Sequence, residues 1–170
     1  MLIFSTRLRD KNGSETVYAL LRHAFSSIYT EAFPEIKKTP AGKPYFPERP
    51  DVQFSLSHTK THVLCAISDA AIGCDIEPCS REISNRARSY FCTPEELLCF
   101  SALDLWILKE SYIKLLGGTF ASIRNQQLSL KGDKILFPDP SVFSKLYSVD
   151  GCRAAVCSYT CDLPESIELI

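Results

Sequence analysis

The sequence predicts an α+β fold built from two similar halves in a pseudo-twofold arrangement. Each half contains a helical apolar periodicity followed by short alternating or continuous apolar runs, which indicate strands. Two such runs, residues 64–68 and 155–159, occupy comparable places in the two halves. The length of 170 residues suits one domain or two closely packed halves. We predict an N-terminal half over 1–78 and a C-terminal half over 79–170.

The N-terminal half is predicted to hold a strand, a helix, a long loop and three more strands. A short strand at Leu2-Ile3-Phe4 precedes a helix over 14–29, whose apolar residues recur at helical spacing and indicate one buried face. The loop over 30–51 is rich in proline, and a connection of this length in a compact domain is usually functional or mobile. A meander with short turns follows, with strands over 52–57, 62–68 and 72–77.

The C-terminal half carries helix-start signals and two hairpin signals. Thr93-Pro94-Glu95-Glu96 combines an N-cap Thr, a Pro at the first helical position and a Glu three residues after the cap. A second, weaker capping box, Ser101 with Asp104, opens a helix that ends at Gly117-Gly118. Hairpins are predicted within 127–137 and 145–159, around Gly132-Asp133 and Asp150-Gly151.

The overall composition excludes several classes of protein. The net charge is −1, from 19 Lys and Arg against 20 Asp and Glu, which gives no support to nucleic-acid wrapping or polybasic membrane binding. The apolar run at the N-terminus is too short for a signal peptide, and no segment is long and apolar enough to span a bilayer. We therefore expect a soluble, cytoplasmic protein, and two halves in one chain make a monomer sufficient.

Of the eight cysteines, the three that lie inside strand-like runs are expected to be small buried residues kept reduced. None of the eight forms a Cys-x-x-Cys pair, so a zinc ribbon or thioredoxin-type site has little support. Cys65, Cys74 and Cys157 lie inside apolar strand-like runs. Cys152 and Cys161 lie close to Cys157, but no His follows at metal-ligand spacing.

Two acidic side chains, Asp75 and Glu77, alternate with apolar residues in the third strand of the meander. Side chains two residues apart share one face of a strand, so these carboxylates lie with Cα atoms roughly 6–7 Å apart and repel each other. One interpretation is a solvated strand face near a turn. The other is a pair of oxygen ligands for Mg²⁺, a hard cation.

The predicted helix over 103–116 is apolar nearly all round, which indicates burial and makes its charges unusual. Glu110 and Lys114 are four residues apart and share a face with Trp106. A surface ion pair on an exposed stripe is one interpretation. If Glu110 instead reaches Asp75 and Glu77, three carboxylates converge on a Mg²⁺ site, and Lys114 faces the phosphates of a ligand.

Two further motifs are ambiguous by themselves. Gly42-Lys43-Pro44 lies in the long loop, where Gly permits close backbone approach and Lys43 could meet a phosphate or be a solvated loop lysine. His58 follows Ser57 at a strand end, where it could face a ligand or be a satisfied turn histidine.

Taken together, the motifs resemble the 4′-phosphopantetheinyl transferase superfamily, and most closely its surfactin-synthetase-activating type. The similarity covers roughly residues 14–160 of a chain of single-domain size. The family's motifs all occur here in the family's order: Gly42-Lys43-Pro44, Ser57-His58, Gly73-x-Asp75-x-Glu77 and Trp106-x-x-Lys109-Glu110-x-x-x-Lys114.

The resemblance implies the family's fold of two similar halves and a reaction that moves the 4′-phosphopantetheine arm of coenzyme A to a serine of an apo acyl or peptidyl carrier protein. It implies Mg²⁺ dependence and release of adenosine 3′,5′-bisphosphate. The metal ligands would be Asp75, Glu77 and Glu110. Glu110 would also be the general base, and Lys114 would contact the pyrophosphate. The remaining coenzyme A contacts would be Lys43, Pro44, Ser57 and His58, with Lys109 as supporting charge.

The resemblance also implies a dock for the acidic recognition helix of a carrier protein. Arg81, Arg86 and Arg88 are candidates for that dock, or they form a solvated helix face. Longer family members use basic residues before the first helix to grip the 3′-phosphate. Here that stretch holds only Arg7, Arg9 and Lys11, and Lys37 and Lys38 are possible substitutes.

Two alternative functions remain. A Mg²⁺-dependent nuclease would use similar acidic groups but would need a basic DNA-binding surface, which the balanced charge does not supply. A catalytically inactive relative would bind a carrier protein or coenzyme A without the reaction, and the intact acidic set argues against it.

Overall fold

The computed structural model describes residues 1–8 and 12–170, so Arg9 and Lys11 lie outside the described residues. Helices are mixed with several small sheets, which confirms the α+β class. In chain order the strands are β1 (Leu2–Arg7), β2 (Lys37–Lys38), β3 (Pro44–Tyr45), β4 (Gln53–His58), β5 (His62–Ser68), β6 (Ile72–Pro78), β7 (Ser129–Lys131), β8 (Lys134–Leu136), β9 (Phe143–Val149), β10 (Cys152–Ser158) and β11 (Glu168–Leu169). The helices are α1 (Gly13–Ser26), α2 (Asn85–Phe91) and α3 (Ala102–Leu116), with 3₁₀ segments at Glu96–Leu98 and Phe120–Asn125.

The first sheet has the strand order β11-β1-β5-β4 and is covered by α1. β5 runs antiparallel to both of its neighbours, while β11 joins the edge of β1 in parallel. The apolar face of α1 packs on this sheet through Leu21, Ala24 and Phe25, against residues such as Phe4 and Phe54. The predicted amphipathic helix is therefore confirmed, although it ends at Ser26.

The second sheet has the order β6-β10-β9 and is covered by α3. The prediction that β4, β5 and β6 form a meander is wrong for β6. That strand pairs antiparallel with β10, with Asp75 opposite Ala155, so its backbone ladder belongs to the second sheet. The pseudo-twofold relation and the boundary at residue 78 stay predictions.

Serine side chains join the two sheets where β4 lies beside β6. The amide of Cys74 donates to Ser55 Oγ (2.9 Å), and the amide of Ile76 donates to Ser57 Oγ (3.4 Å). The Cys74 thiol donates to the carbonyl oxygen of Ser55 (3.2 Å). These contacts replace a backbone ladder between the strands, and they bring the C-terminal end of β4 next to the acidic pair on β6.

The helix and turn signals of the C-terminal half are largely confirmed. Ser101 Oγ accepts from the amide of Asp104 (3.0 Å) at the start of α3, and Gly117 ends that helix with φ of 66°. The Thr93–Glu96 capping box forms in both directions, but it opens only one 3₁₀ turn, because the buried Glu96 carboxylate is drawn inward to Lys109 (2.8 Å). The predicted hairpins are β7–β8 and β9–β10.

The cysteines of the described residues are free. Cys65, Cys74 and Cys157 are buried, as predicted, and burial raises the pKa of Cys74 to about 11 and that of Cys157 to about 12. These thiols are therefore protonated packing groups at neutral pH. Within the part of the chain that the structure describes, none of the helices has the length and apolarity needed to cross a bilayer.

The serine junction yields a test of how the sheets are joined. We expect Ser55→Ala to lower the free energy of unfolding by about 1–3 kcal/mol, because the buried amide of Cys74 would lose its acceptor. Urea unfolding measures this change. The matched control is Ser26→Ala, which removes an exposed hydroxyl bonded to the Arg22 carbonyl and should change stability by less than about 0.5 kcal/mol. Equal effects of the two variants would contradict a stabilising role for the junction.

Candidate active site

A pocket of about 360 Å³ lies between the C-terminal end of β4, the middle of β6 and one face of α3. Strand alternation places Asp75 and Glu77 on one side of it, and the four-residue spacing of α3 places Glu110 and Lys114 on the other. The structure thus brings together residues that are distant in sequence. The pocket is lined by Leu56, Ser57, His58, Asp75, Glu77, Trp106, Glu110 and Lys114.

Gly73 allows α3 to lie directly on β6. A Cβ added at Gly73 would overlap the carbonyl oxygen of Ser111 and the amide nitrogen of Leu115, and would lie 3.0 Å from the Cα of Leu115. Only a residue without a side chain fits between the strand and the backbone of the helix. Because Asp75 follows two residues later on the same strand face, this close approach sets the carboxylate against the helix.

Asp75 is buried at the base of the pocket, with only 6% of its surface exposed. Its Oδ1 accepts from Ser57 Oγ (2.7 Å) and from Lys114 Nζ (2.7 Å). Its Oδ2 is buried and has no hydrogen-bond partner among the described residues. The interpretation of this strand face as solvated is therefore wrong, and one carboxylate oxygen retains an unused capacity to bind a cation.

Glu77 lies beside Asp75 and is held by Arg81, with which it forms an ion pair. The Arg81 guanidinium also lies over the Trp106 ring, 4.5 Å from its centroid. Burial raises the pKa of Glu77; Arg81 opposes this rise, and the charge of Asp75 adds to it. Arg81 thus partly neutralises the acidic pair and fixes the orientation of Glu77.

Glu110 and Lys114 both face the pocket, but Lys114 forms its ion pair with Asp75. The pattern is therefore not the surface Glu110–Lys114 pair that was one interpretation of the sequence. Burial raises the pKa of Glu110, and the negative charge of Asp75 raises it further. Burial lowers the pKa of Lys114, but the Asp75 carboxylate outweighs this effect and the net shift is upward. Lys114 is thus kept protonated.

The chemistry of these donors fits Mg²⁺. Among residues 1–8 and 12–170, no group of three or more His, Cys, Asp or Glu side chains is already gathered as a metal site. Nevertheless three carboxylates line one pocket, and one of their oxygens is buried without a partner among the described residues. The pKa values of Glu77 and Glu110 are raised by burial first and by the charge of Asp75 second. Hard oxygen ligands of this kind are the ones that Mg²⁺ prefers.

Known proteins with similar sequences identify the family. The chain is 31% identical over 170 aligned residues to the 4′-phosphopantetheinyl transferase psf-1 of Bacillus pumilus. This alignment covers 89% of this chain and 72% of that relative. The chain is also 35% identical over 149 residues to the 4′-phosphopantetheinyl transferase Sfp of Bacillus subtilis, in an alignment that covers 76% of this chain and 65% of that relative. The chain belongs to the 4′-phosphopantetheinyl transferase family. This confirms the resemblance that the motifs indicated.

The match does not extend over the whole length of every relative. The chain spans just under two thirds of Sfp, and 64% of another Bacillus subtilis 4′-phosphopantetheinyl transferase with which it shares 32% identity over 145 residues. No family model matches the sequence. The family assignment therefore depends on the pairwise similarity.

The Gly-Lys-Pro motif of this family lies against the C-terminal end of α3. Lys43 Nζ donates to the carbonyl oxygens of Leu115 (3.1 Å) and Ile72 (3.4 Å), and burial lowers the pKa of Lys43. Lys43, Pro44 and Lys114 line an adjoining cavity of about 250 Å³. The short strand β2, which contains the exposed Lys37 and Lys38, pairs with β3 next to this loop.

Ser57 and His58 are neighbours in sequence but have different surroundings and roles. Ser57 is buried and its hydroxyl donates to Asp75, so it orients the carboxylate. His58 is exposed at the rim and also lines a neighbouring cavity of about 1030 Å³ that includes Glu77, Lys60 and Arg81. The central pocket shares His58 and Glu77 with this cavity, and Leu56 and Lys114 with the cavity beside Lys43, so the three adjoin through the pocket.

Lys109 is the sequence-derived site residue that the structure places elsewhere. Its side chain is only 1% exposed and forms an ion pair with Glu96 (2.8 Å), away from the residues that line the pocket. The implied role of Lys109 as a coenzyme A contact stays a prediction, and the enclosure of its ammonium by protein gives that role no support.

The sequence analysis did not assign Glu96 or Arg81 to the site. Glu96 was interpreted only as part of a capping box, although a lysine on a helix that is apolar nearly all round requires an acidic partner. That requirement was the available signal for Glu96. Arg81 was considered only as part of a carrier-protein dock, and its position shortly after the acidic pair was the signal for its contact with Glu77.

Gly73 provides a test of the packing between helix and strand. We expect Gly73→Ala to lower the free energy of unfolding by about 3 kcal/mol or more, because the added methyl group meets backbone atoms that cannot turn aside. Thermal and urea unfolding measure the change. Gly118→Ala is the matched control, since its Cβ would meet only ordinary contacts of 3.6 Å or more. A well-folded Gly73→Ala protein of normal stability would contradict the close approach.

The raised pKa of Glu110 predicts a pH-dependent stability effect. The folded protein binds the Glu110 proton more tightly than the unfolded chain does, so ionisation costs folding free energy as the pH rises above the ordinary Glu range. We expect Glu110→Gln to stabilise the metal-free protein at about pH 7 and to have little effect at about pH 3.5. Urea unfolding at both pH values measures this difference. A loss of stability at neutral pH would contradict the electrostatic assignment.

Proposed function

We propose that this protein transfers the 4′-phosphopantetheine arm of coenzyme A to a serine of an apo acyl or peptidyl carrier protein and releases adenosine 3′,5′-bisphosphate. The observation that carries the proposal is the single pocket in which Asp75, Glu77, Glu110 and Lys114 meet. Membership of a family whose relatives are named 4′-phosphopantetheinyl transferases supports the same activity.

The transfer of a phosphoryl group depends mainly on positioning and on neutralisation of charge. In this proposal Asp75, Glu77 and Glu110 hold Mg²⁺. When bound, Mg²⁺ would neutralise charge on the pyrophosphate and stabilise the departing nucleotide. Ser57 and Arg81 orient two of these carboxylates, because Ser57 donates a hydrogen bond to Asp75 and Arg81 forms an ion pair with Glu77.

Glu110 is the proposed general base. A carboxylate accepts a proton more readily when its pKa lies closer to the operating pH, and both burial and Asp75 raise the pKa of Glu110. It lies at the same pocket as the phosphate-binding groups, so a serine hydroxyl that enters there can transfer its proton to it, directly or through water. Lys114 remains protonated beside Asp75 and is the proposed contact to the pyrophosphate oxygens.

Coenzyme A is proposed to lie along the three adjoining cavities. Lys43 and Pro44 line the cavity beyond Lys114, and His58 lies at the junction with the largest cavity. These basic groups suit an anionic ligand in a chain of near-zero net charge. Lys37 and Lys38 remain candidates for the 3′-phosphate, since β2 pairs with the strand that begins at Pro44.

The carrier protein is proposed to dock on an apolar groove of about 400 Å³ between α2 and the 3₁₀ segment at Phe120–Asn125. Tyr90 and Phe120 stack there with ring centroids 6.1 Å apart and are partly exposed. Trp106 lines both this groove and the active-site pocket, so a partner on the groove lies next to the reacting groups. Arg86 lines the groove and Arg124 lies over the Tyr90 ring, which suits an acidic partner helix, and Arg88 of α2 remains a candidate.

The arrangement of the two halves, the oligomeric state and the cellular location are also proposed from the sequence. A pseudo-twofold pair of halves, divided near residue 78, fits the presence of a helix packed on each of the two sheets. A monomeric state and a cytoplasmic location also stay predictions. Size-exclusion chromatography with light scattering tests the first of these two predictions, and fractionation of cells tests the second.

The decisive experiment is intact-mass analysis of a panel of apo-carrier proteins incubated with this protein, coenzyme A and Mg²⁺. We expect at least one carrier to gain the mass of a single phosphopantetheine group, and we expect a chelator to prevent the gain and added Mg²⁺ to restore it. Absence of the adduct from every carrier would overturn the proposal. Cleavage of DNA without coenzyme A would support the nuclease alternative.

Glu110→Gln tests the assigned base. We expect this variant to abolish transfer, because the amide neither accepts a proton at neutral pH nor provides an anionic metal ligand. The matched control is Glu48→Gln, which changes an exposed carboxylate outside the pocket and should leave transfer within about twofold of the wild type. Near-normal transfer by Glu110→Gln would remove Glu110 from its role.

A further inference from the structure

Lys109 and Glu96 form an ion pair in the interior of the C-terminal half. Both side chains are at most 1% exposed. Lys109 Nζ lies 2.8 Å from Glu96 Oε1 and 2.9 Å from Oε2, and it also donates to the carbonyl oxygen of Phe91 (2.5 Å). The ammonium group therefore donates two hydrogen bonds, to Glu96 Oε2 and to the Phe91 carbonyl oxygen, and lies within ion-pair distance of Glu96 Oε1.

The Glu96 carboxylate is satisfied by hydrogen bonds from the protein. Besides Lys109, it accepts from the amide of Leu128 (2.8 Å) and from the amide of Thr93 (2.9 Å). The pair therefore connects three stretches of chain: the end of α2 with the turn after it, the middle of α3 and the segment before β7. An unpaired charge at this place would be strongly unfavourable, so these stretches are held in one arrangement.

The position of Lys109 on α3 relates this arrangement to the active site. Successive residues of a helix point about 100° apart, so Glu110 points to a different side from Lys109. When Lys109 is fixed in the interior, the rotation of α3 about its axis is fixed as well. Glu110 and Lys114, which share one face, are then directed into the pocket.

A second connection passes through Phe91. Its carbonyl oxygen accepts from Lys109, and its ring packs edge-on against Trp106 with centroids 5.3 Å apart. Trp106 in turn lies under Arg81, the partner of Glu77. The buried pair thus supports the wall of the pocket that orients the acidic pair, in addition to the helix that carries Glu110.

We propose that the Lys109–Glu96 ion pair is a positioning device that sets the rotation of α3 and so directs Glu110 and Lys114 towards the reacting groups. This inference rests on the proposed function, since the groups that it positions are those assigned to the transfer. Lys109 contacts neither coenzyme A nor the metal in this role. It differs from a purely stabilising pair because its loss displaces groups that act on the substrate.

The test replaces both charges together, because removal of one alone would leave the other buried without a partner. In the double variant Glu96→Gln with Lys109→Met, we expect a folded protein whose kcat falls at least about tenfold, since small displacements of reacting groups are costly. We expect the KM for coenzyme A to change less than about threefold, because the contacts to coenzyme A remain. A second double variant, Glu96→Gln with Lys109→Gln, also removes both charges and should show a loss of the same kind.

The outcomes separate this role from its rivals. A wild-type kcat in a folded double variant would overturn the inference in favour of stability alone, and a raised KM with unchanged kcat would overturn it in favour of a coenzyme A contact. If the first double variant does not fold, Glu96→Gln with Lys109→Gln decides by the same two outcomes. The matched control removes an ion pair of α3 outside the pocket, by Asp104→Asn with Arg153→Gln, and should leave kcat within about twofold.

A readout that does not require transfer keeps this inference separate from the proposed function. Trp106 is the only tryptophan in the sequence, so intrinsic fluorescence reports on the pocket wall. We expect the double variant to show a shifted emission maximum and at least about twofold stronger acrylamide quenching, while the control pair matches the wild type. If the wild-type protein modifies no carrier, the proposed function fails, and unchanged Trp106 fluorescence in the folded double variant would independently overturn the positioning role.

Discussion

The contact between the backbone of α3 and β6 is the constraint on which the rest of the structure depends. It requires a residue without a side chain at Gly73, because the Ser111 carbonyl and the Leu115 amide occupy the space that a Cβ would take. A helix normally stands off a sheet by the length of the side chains between them. Here that layer is missing at one point, and short carboxylates and a lysine can therefore meet across the interface.

This proximity brings negative charges together, and the cations of the protein neutralise them only in part. Three carboxylates line one pocket, and two cations of the protein itself, Lys114 and Arg81, pair with Asp75 and Glu77. Glu110 is left with a raised pKa, and one oxygen of Asp75 is left without a partner among the described residues. Ionisation of Glu110 thus costs folding free energy in the metal-free protein. Incomplete neutralisation of this kind is expected where a site must bind a cation and a phosphate ligand.

The sequence predicted those parts of the molecule that depend on local geometry. Strand alternation paired Asp75 with Glu77, and helical spacing paired Glu110 with Lys114. It could not predict that β6 pairs with β10, because alternation within a strand shows which residues share a face but not which neighbouring strand its edge pairs with. It likewise could not show where the Lys109 side chain lies, because a helix that is apolar nearly all round gives no periodic signal for the direction of one charged side chain.

The serine contacts between β4 and β6 link the joining of the two sheets to the geometry of the pocket. Each sheet has its own backbone hydrogen bonds, and the two sheets are joined where β4 meets β6 by the hydroxyl groups of Ser55 and Ser57. Ser57 belongs to this junction and also donates a hydrogen bond to Asp75, so the junction forms part of the base of the pocket. A ligand that contacts His58 on β4 and Glu77 on β6 would touch both sheets at once, and its binding would stabilise their junction.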